Sequence, residues 1–309
     1  MSAVHVLFEN EDWMPPLREA LKSRGLPVQE HFITDGSVDP NDAPAEGVWI
    51  NRMSPSAHTR DHQGGVVLTR LWLEHLEAHR RPVLNGTRAF GLEVSKVRQD
   101  QALRRAGILT PHTVAVVGGA DALVSAAQTF PQPFITKHNQ GGKGLGVQLF
   151  RSIDAFEAHV GSPEFLPSPD GVTLLQQYIE PAEPFITRIE IVDGQFLYAI
   201  KSSTVGGFEL CPADACAVDD NAFCPADGSD TFSLRTDITA EDPLVKRYIA
   251  MMAAEGLDIA GIEFVEDAEG RRWTYDINGT TNFNGTVEAQ HGVYGMQAIA
   301  ALAERRLAS

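Results

Sequence analysis

The stretch Phe134-Ile135-Thr136-Lys137-His138-Asn139-Gln140-Gly141-Gly142-Lys143-Gly144-Leu145-Gly146-Val147-Gln148-Leu149-Phe150 decides the fold. It reads as a strand ending in a lysine, a glycine-rich loop and a second strand. Four glycines in six positions let backbone N–H groups approach an anion closely. Lysines flank and enter the loop, which suits phosphate. A Walker-type loop or a dinucleotide fold would continue into a helix. Here Val147 to Phe150 alternates like a strand, so the loop joins antiparallel strands and folds over a nucleotide as a flap. A plain glycine-rich hairpin is the competing reading.

Working outward, strands alternate with helices on the N-terminal side. Val4–Phe8, Val48–Ile50 and Pro82–Asn85 read as strands, Pro15–Arg24 and Thr69–Arg80 as helices. That pattern predicts a small parallel sheet with helical cover. Loops at the carboxyl ends of such strands bind ligands, which puts Glu9, Asn10, Arg52 and Asn85 at a candidate ligand edge, or makes them cap and turn residues. Ser95 to Gly107 is a helix with Lys96 in its first turn. A cation there opposes the helix dipole, so an anionic partner or plain solvation accounts for it.

On the C-terminal side, Thr173–Ile179 reads as a buried strand running into the connector Glu180-Pro181-Ala182-Glu183-Pro184. Two hairpins follow. Phe185–Val192 turns through Asp193-Gly194 into Gln195–Ile200, and Ala260–Val265 is followed by Arg272–Ile277. Pro243–Glu255 and Tyr294–Arg305 read as helices. In the second hairpin Glu263 stands among apolar residues, while Asp276 and Asn278 are two apart and share a face. Oxygen donors of this kind suit magnesium. A pair of solvent-facing acids is the alternative.

Composition narrows the function classes. The 309 residues suit two or three modest domains, and 43% hydrophobic with 21% charged residues suits a globular protein. The net charge of -16 argues against nucleic acid and anionic lipid. No apolar run spans a bilayer, and the strand-like Val4–Phe8 so near the start predicts no targeting segment ahead of the fold. The cysteines Cys211, Cys216 and Cys224 fall in the loop-like Cys211–Asp230 segment. An odd number favours a reducing cytoplasm over a disulfide framework.

In order along the chain, Val48-Trp49-Ile50-Asn51-Arg52-Met53-Ser54-Pro55-Ser56, Val83-Leu84-Asn85 with the Ser95-Lys96 helix, Lys137, Gly141–Gly146, Gln176-Gln177-Tyr178-Ile179, Arg188, Glu263, Asp276 and Asn278 resemble the ATP-grasp superfamily. The likeness is to the RimK-like branch of carboxylate–amine ligases, of glutamate-ligase type. The resemblance implies an α/β (α+β) ATP-grasp fold. An N-terminal small parallel-sheet pre-ATP-grasp domain (1–94) would precede a central subdomain (95–180) carrying the lysine strand and flap. A C-terminal subdomain (181–309) would carry the metal ligands.

The resemblance also implies roles. Lys96 and Lys137 would neutralise phosphates, and the backbone amides of Gly142, Lys143, Gly144 and Leu145 would cover them. The hinge Gln176, Gln177, Tyr178 and Ile179 would hold adenine, with backbone groups of Gln177 and Ile179 reading its edge, and Glu183 would take the ribose. Glu263, Asp276 and Asn278 would hold two Mg2+ ions, with Mn2+ as a substitute. Arg188, with Lys201 as a second candidate, would stabilise the transferred phosphoryl group. The implied activity is an ADP-forming, cytoplasmic ATP-dependent C–N ligase. It would join small-molecule or peptide carboxylates and amines through an acyl phosphate, as a dimer or tetramer. An ATP-grasp kinase without amide formation and a catalytically silent ATP-binding module are the alternatives.

Two departures bear on substrate. The second metal position usually reads Glu-x-Asn and here is Asp276-Ile277-Asn278. The segment Gly279-Thr280-Thr281-Asn282-Phe283-Asn284-Gly285 replaces the common Ser-Pro-Gly ending. Arg52, Ser54, Arg70, His291 and Asn282–Asn284 are candidate acceptor contacts.

Overall fold

The computed structural model describes residues 3–142, 144, 146–204 and 232–309. The cysteine segment, Lys143 and Leu145 lie outside the described residues. Three sheets organise the rest.

The first sheet is parallel, in the order β2-β1-β3-β4. It comprises β1 (Ala3–Phe8), β2 (Val28–Phe32), β3 (Gly47–Arg52) and β4 (Val83–Leu84). Every residue of β1 is buried because it lies between β2 and β3 and is covered on both faces. Helices α1 (Pro15–Ser23) and α2 (Gln63–Ala78) provide cover. Sequence reading passed over β2, whose half-exposed edge gives a weak alternation.

Helices α3 (Thr87–Glu93) and α4 (Lys96–Arg105) lead to an antiparallel sheet in the order β5-β8-β6-β7. It contains β5 (Thr113–Val117), β6 (Phe134–His138), β7 (Gln148–Phe150) and β8 (Val172–Gln177), backed by α5 (Ala120–Ala127) and α6 (Ile153–Val160). Strands β6 and β7 pair antiparallel from Phe134–Phe150 to Thr136–Gln148. The glycine loop therefore joins antiparallel strands, as the alternation required.

The third sheet runs β11-β10-β9-β12-β13. Its strands are β9 (Phe185–Val192), β10 (Gln195–Ser203), β11 (Phe232–Leu234), β12 (Ile259–Glu266) and β13 (Arg272–Asn278), and α7 (Pro243–Glu255) precedes β12. Helices α8 (Gly285–His291) and α9 (Gly295–Leu307) follow. Helix α9 folds back so that Ile299, Ala300 and Leu302 share one core with Val4, Val6 and Ile50 of the first sheet and Val192 and Ile259 of the third. Among the described residues no helix is long and apolar enough to cross a membrane.

Candidate active site

Strand register assembles the polar centre. Arg188 on β9 stands opposite Glu263 on β12, and Glu263 stands opposite Asp276 on β13. Residues directly opposite in a ladder share a face, so one row carries a guanidinium and two carboxylates across three strands. Asn278, two residues beyond Asp276, adds a carboxamide to that face. Within the row, Arg188 Nη1 donates to Glu263 Oε1 at 2.8 Å.

Two lysines reach the row from other elements. Lys96 opens α4 and donates from Nζ to Asp276 Oδ1; this is the anionic partner that its position at a helix N-terminus called for. Lys137 ends buried near β13, where Nζ donates to the Tyr275 carbonyl at 3.2 Å and lies 4.9 Å from the centre of that ring. Asn139 connects the two lysine elements. Its carbonyl accepts from Lys96 N at 3.1 Å and its Oδ1 from Val97 N at 2.9 Å. The residue after the lysine strand thus caps α4.

Charge and burial shift the ionisable groups here. Burial, and then the like charge of Lys96, lower Lys137 to about 8. Burial would push Asp276 up, but Lys96 and Lys137 outweigh it and hold the carboxyl below its ordinary value. Burial pushes Glu93, at the end of α3, up to about 7, against the Gly279 N–H that its Oε2 accepts.

These groups open on a cavity of about 390 Å³. Gly141, Gly142 and Gly144 of the flap and the segment Gln176–Ile179 line it. Ile135 of the second sheet, Val147 just before β7, and Ile186 and Val265 of the third sheet line it, so an apolar slot adjoins the charged row. Asp276, Glu263 and Asn278 offer only oxygen donors once the carboxamide turns its oxygen inward, which fits a hard divalent cation. Among the described residues no group of three or more His, Cys, Asp or Glu gathers around a point.

Not every expected residue joins the cavity. Lys201 pairs with Thr187, next to Arg188 and therefore on the opposite face of β9. Its Nζ lies 4.3 Å from the Phe185 ring centre. Glu183 is exposed in the connector and does not line the cavity. The Gln177 N–H is taken by the His112 carbonyl at 2.8 Å, so its carbonyl is the backbone group left to read a base. Gln176, Tyr178 and Ile179 line the cavity as expected.

The first-sheet candidates divide. Glu9 is buried in an ion pair with Arg60 and a 2.9 Å hydrogen bond with His62 Nδ1, and Asn10 caps the turn at Asp12. Asn85 donates to the carbonyls of Ile259 and Gly279, both at 2.9 Å, and accepts from Asp258 N and Ile259 N, so it stitches the first sheet to the third. Arg52 is buried and donates to Thr281 O at 2.7 Å and Asn282 Oδ1 at 2.6 Å. Ser54 and Asn282 line the cavity, whereas Arg70 and His291 are exposed away from it. Glu93, Glu190 and Gly261 went unread in the sequence. A Glu190 two residues from Arg188 and a glycine inside a strand were the available signals.

No protein-family model matches the chain. A probable alpha-L-glutamate ligase from Mannheimia succiniciproducens is 29% identical over 201 residues, covering 64% of this chain and 60% of that protein. The matched part therefore spans less than two thirds of that relative. Among solved structures, a RimK domain ATP-grasp protein from Sphaerobacter thermophilus superposes with TM-score 0.67 at 18% identity, covering 97% of this chain and 98% of that one. The ATP-grasp ligase PsnB gives 0.68 at 15%, covering 99% of each chain. The D-cycloserine synthetase DcsG gives 0.66 at 20%, covering 98% and 100%. Three sheets in this order, a flap between antiparallel strands and whole-chain superposition lead to one conclusion: the chain has the ATP-grasp fold and is similar to its RimK-like members.

Proposed function

We propose that this protein is an ATP-dependent carboxylate–amine ligase that forms an amide or peptide bond through an acyl phosphate and releases ADP and phosphate. The observation that carries the reading is the Arg188–Glu263–Asp276 row facing Lys96 and Lys137 beside an apolar slot. The likeness to a probable glutamate ligase adds support.

ATP would lie with adenine between Ile135, Val147, Ile186 and Val265 and its phosphates toward the lysines. Gly142 and Gly144, with Lys143 and Leu145 between and beside them, would close over the phosphates. Glu263, Asp276 and Asn278 would hold two magnesium ions, which supply charge neutralisation along the phosphates. Lys96 would release Asp276 to the metal and take phosphate in exchange. Residues 1–94, 95–180 and 181–309 would act as three units around this site.

A carboxylate is a poor electrophile because its leaving group would be oxide. Attack of one carboxylate oxygen on the γ-phosphorus breaks the bond to ADP and gives a mixed anhydride. The amine then attacks the carbonyl carbon, the C–O bond breaks, phosphate leaves and the amine loses a proton. Arg188 would stabilise charge on the transferred group, a bidentate task for guanidinium. A closed flap would exclude water that would hydrolyse the anhydride. Amino acids supplied singly and in pairs, with ADP release as readout, test the reading. Release that needs both an acid and an amine is expected. Release with an acid alone would mark a kinase, and ATP binding without any turnover a silent module.

A further inference from the structure

Arg188 does not reach freely into the cavity. Its guanidinium lies flat on the neighbouring strand, over Gly261 of β12. A Cβ at Gly261 would come 2.3 Å from Arg188 Nη2 and 2.6 Å from Cζ and Nε. Any side chain there would expel the guanidinium from its present place, which gives this glycine inside a strand its purpose.

Two groups then fix the plane. Arg188 Nε donates to Glu190 Oε1 at 2.6 Å. Arg188 Nη2 donates to the Thr281 hydroxyl, which in turn donates to Glu190 Oε2 at 3.0 Å. Glu190 is buried and is not among the residues lining the cavity. Its hydrogen bonds run to Arg188 and to the Thr281 hydroxyl that Arg188 also holds. Glu190 supplies a buried counter-charge to the buried guanidinium, and its two oxygens also set the direction in which that guanidinium faces. Thr281 is itself held, because its carbonyl accepts from Arg52 of the first sheet. With Nη1 on Glu263, three of the five guanidinium N–H groups are committed to the protein.

We propose that Gly261, Glu190 and Thr281 are positioning residues that hold Arg188 in one orientation toward the reacting phosphoryl group. This proposal rests on the ligase reading for the role of Arg188, but the cradle itself is open to measurement without turnover. An arginine side chain has several freely rotating bonds whose entropy is lost when it is held in one orientation. Ordering it before the reaction removes that cost from the barrier, and displacement by about 1 Å costs on the order of 10²-fold in rate.

The test uses the full chain labelled with 15N-arginine. Wild-type protein should show an Arg188 Nε–H resonance shifted downfield and slow to exchange, assigned by its loss in Arg188→Lys. Glu190→Gln and Gly261→Ala should move that resonance toward the free-arginine position. They should also lower kcat on the order of 10²-fold while changing KM for ATP by no more than about twofold. Thr281→Val should act in the same direction, and Thr281→Ser should restore what Thr281→Val loses. If one variant fails to fold, the remaining two carry the comparison. A free-arginine signal for Arg188 in the wild type would overturn the cradle. Undiminished kcat in folded Glu190→Gln and Gly261→Ala would overturn the positioning role. A wild type that releases no ADP under any acid–amine mixture would count against the ligase reading, and the Arg188 resonance would then judge the cradle alone.

Discussion

Glu263 and Asp276 stand directly opposite each other on β12 and β13, and a positive side chain meets each from outside the pair: Arg188 on Glu263, Lys96 on Asp276. Two carboxylates so close repel unless cations lie between or beside them. The arrangement is one that a divalent ion would complete. Glu263→Ala is expected to cut magnesium-dependent turnover by about 10²-fold or more, the scale of losing one preorganised electrostatic contributor. ADP release measured against magnesium concentration checks this. Near wild-type turnover would remove Glu263 from the metal site.

Lys137 gives a pH signature. Burial and Lys96 lower it to about 8, and a bound phosphate favours its charged form. Below pH 8 the ammonium is present and ATP binds without proton uptake. Above it, each binding event must recruit a proton, so the ATP dissociation constant rises with pH from about 8 upward. Lys137→Met should weaken binding at pH 7 and flatten that rise. Titration calorimetry across pH 7 to 9.5 in two buffers of different ionisation heat checks both, and an unchanged slope in the variant would assign it elsewhere.

Glu93 predicts a stability change of definite sign. Its carboxyl ordinarily titrates at 4.5 and is raised to about 7 in the fold. The folded state therefore holds the proton more tightly. That stabilisation is complete below pH 4.5 and is lost as the pH rises through about 7. At about 1.4 kcal/mol per unit the full effect is about 3 kcal/mol. Glu93→Gln keeps an acceptor for the Gly279 N–H and removes the titration. Its stability relative to wild type should increase between pH 4.5 and 8, read from urea midpoints at each pH. A difference independent of pH would contradict the shift.

Much of this site could be read from residue types and spacing, and the exceptions have physical reasons. Glu263, Asp276 and Asn278 were legible as one polar face because Glu263 stands among apolar residues and Asp276 and Asn278 are two apart on the next strand. Lys96 was legible because it stands where a cation is disfavoured. Lys201 misled because strand length alone leaves the face unspecified, and its pairing with Thr187 turns it away from Arg188. Glu93 acquires meaning only when β13 ends beside α3, which no local pattern announces. Helices α3 and α8, at seven residues each, are too short to display a repeating apolar face.

Asn85 is one point at which the first sheet is tied to the third. Its buried side chain makes four hydrogen bonds to the backbone around Asp258, Ile259 and Gly279. Asn85→Ala would strand several buried backbone groups, each costing about 1–3 kcal/mol when unsatisfied. A loss of about 3 kcal/mol or more in unfolding free energy is expected, well above the ordinary range for a surface change. Denaturant titration checks it, and a change under about 1 kcal/mol would show that water replaces these bonds.

In the proposed reaction a carboxylate oxygen attacks the γ-phosphorus of ATP. A carboxylate substrate identified by the acid–amine screen and labelled with 18O in both oxygens should pass one label to the released phosphate, because its oxygen bridges carbon and phosphorus before the amine displaces it. Mass spectrometry of the phosphate after single-turnover conversion reads this directly. One 18O per phosphate, formed together with the amide, is the predicted result. Unlabelled phosphate accompanying ADP release would contradict the acyl phosphate and with it the ligase account.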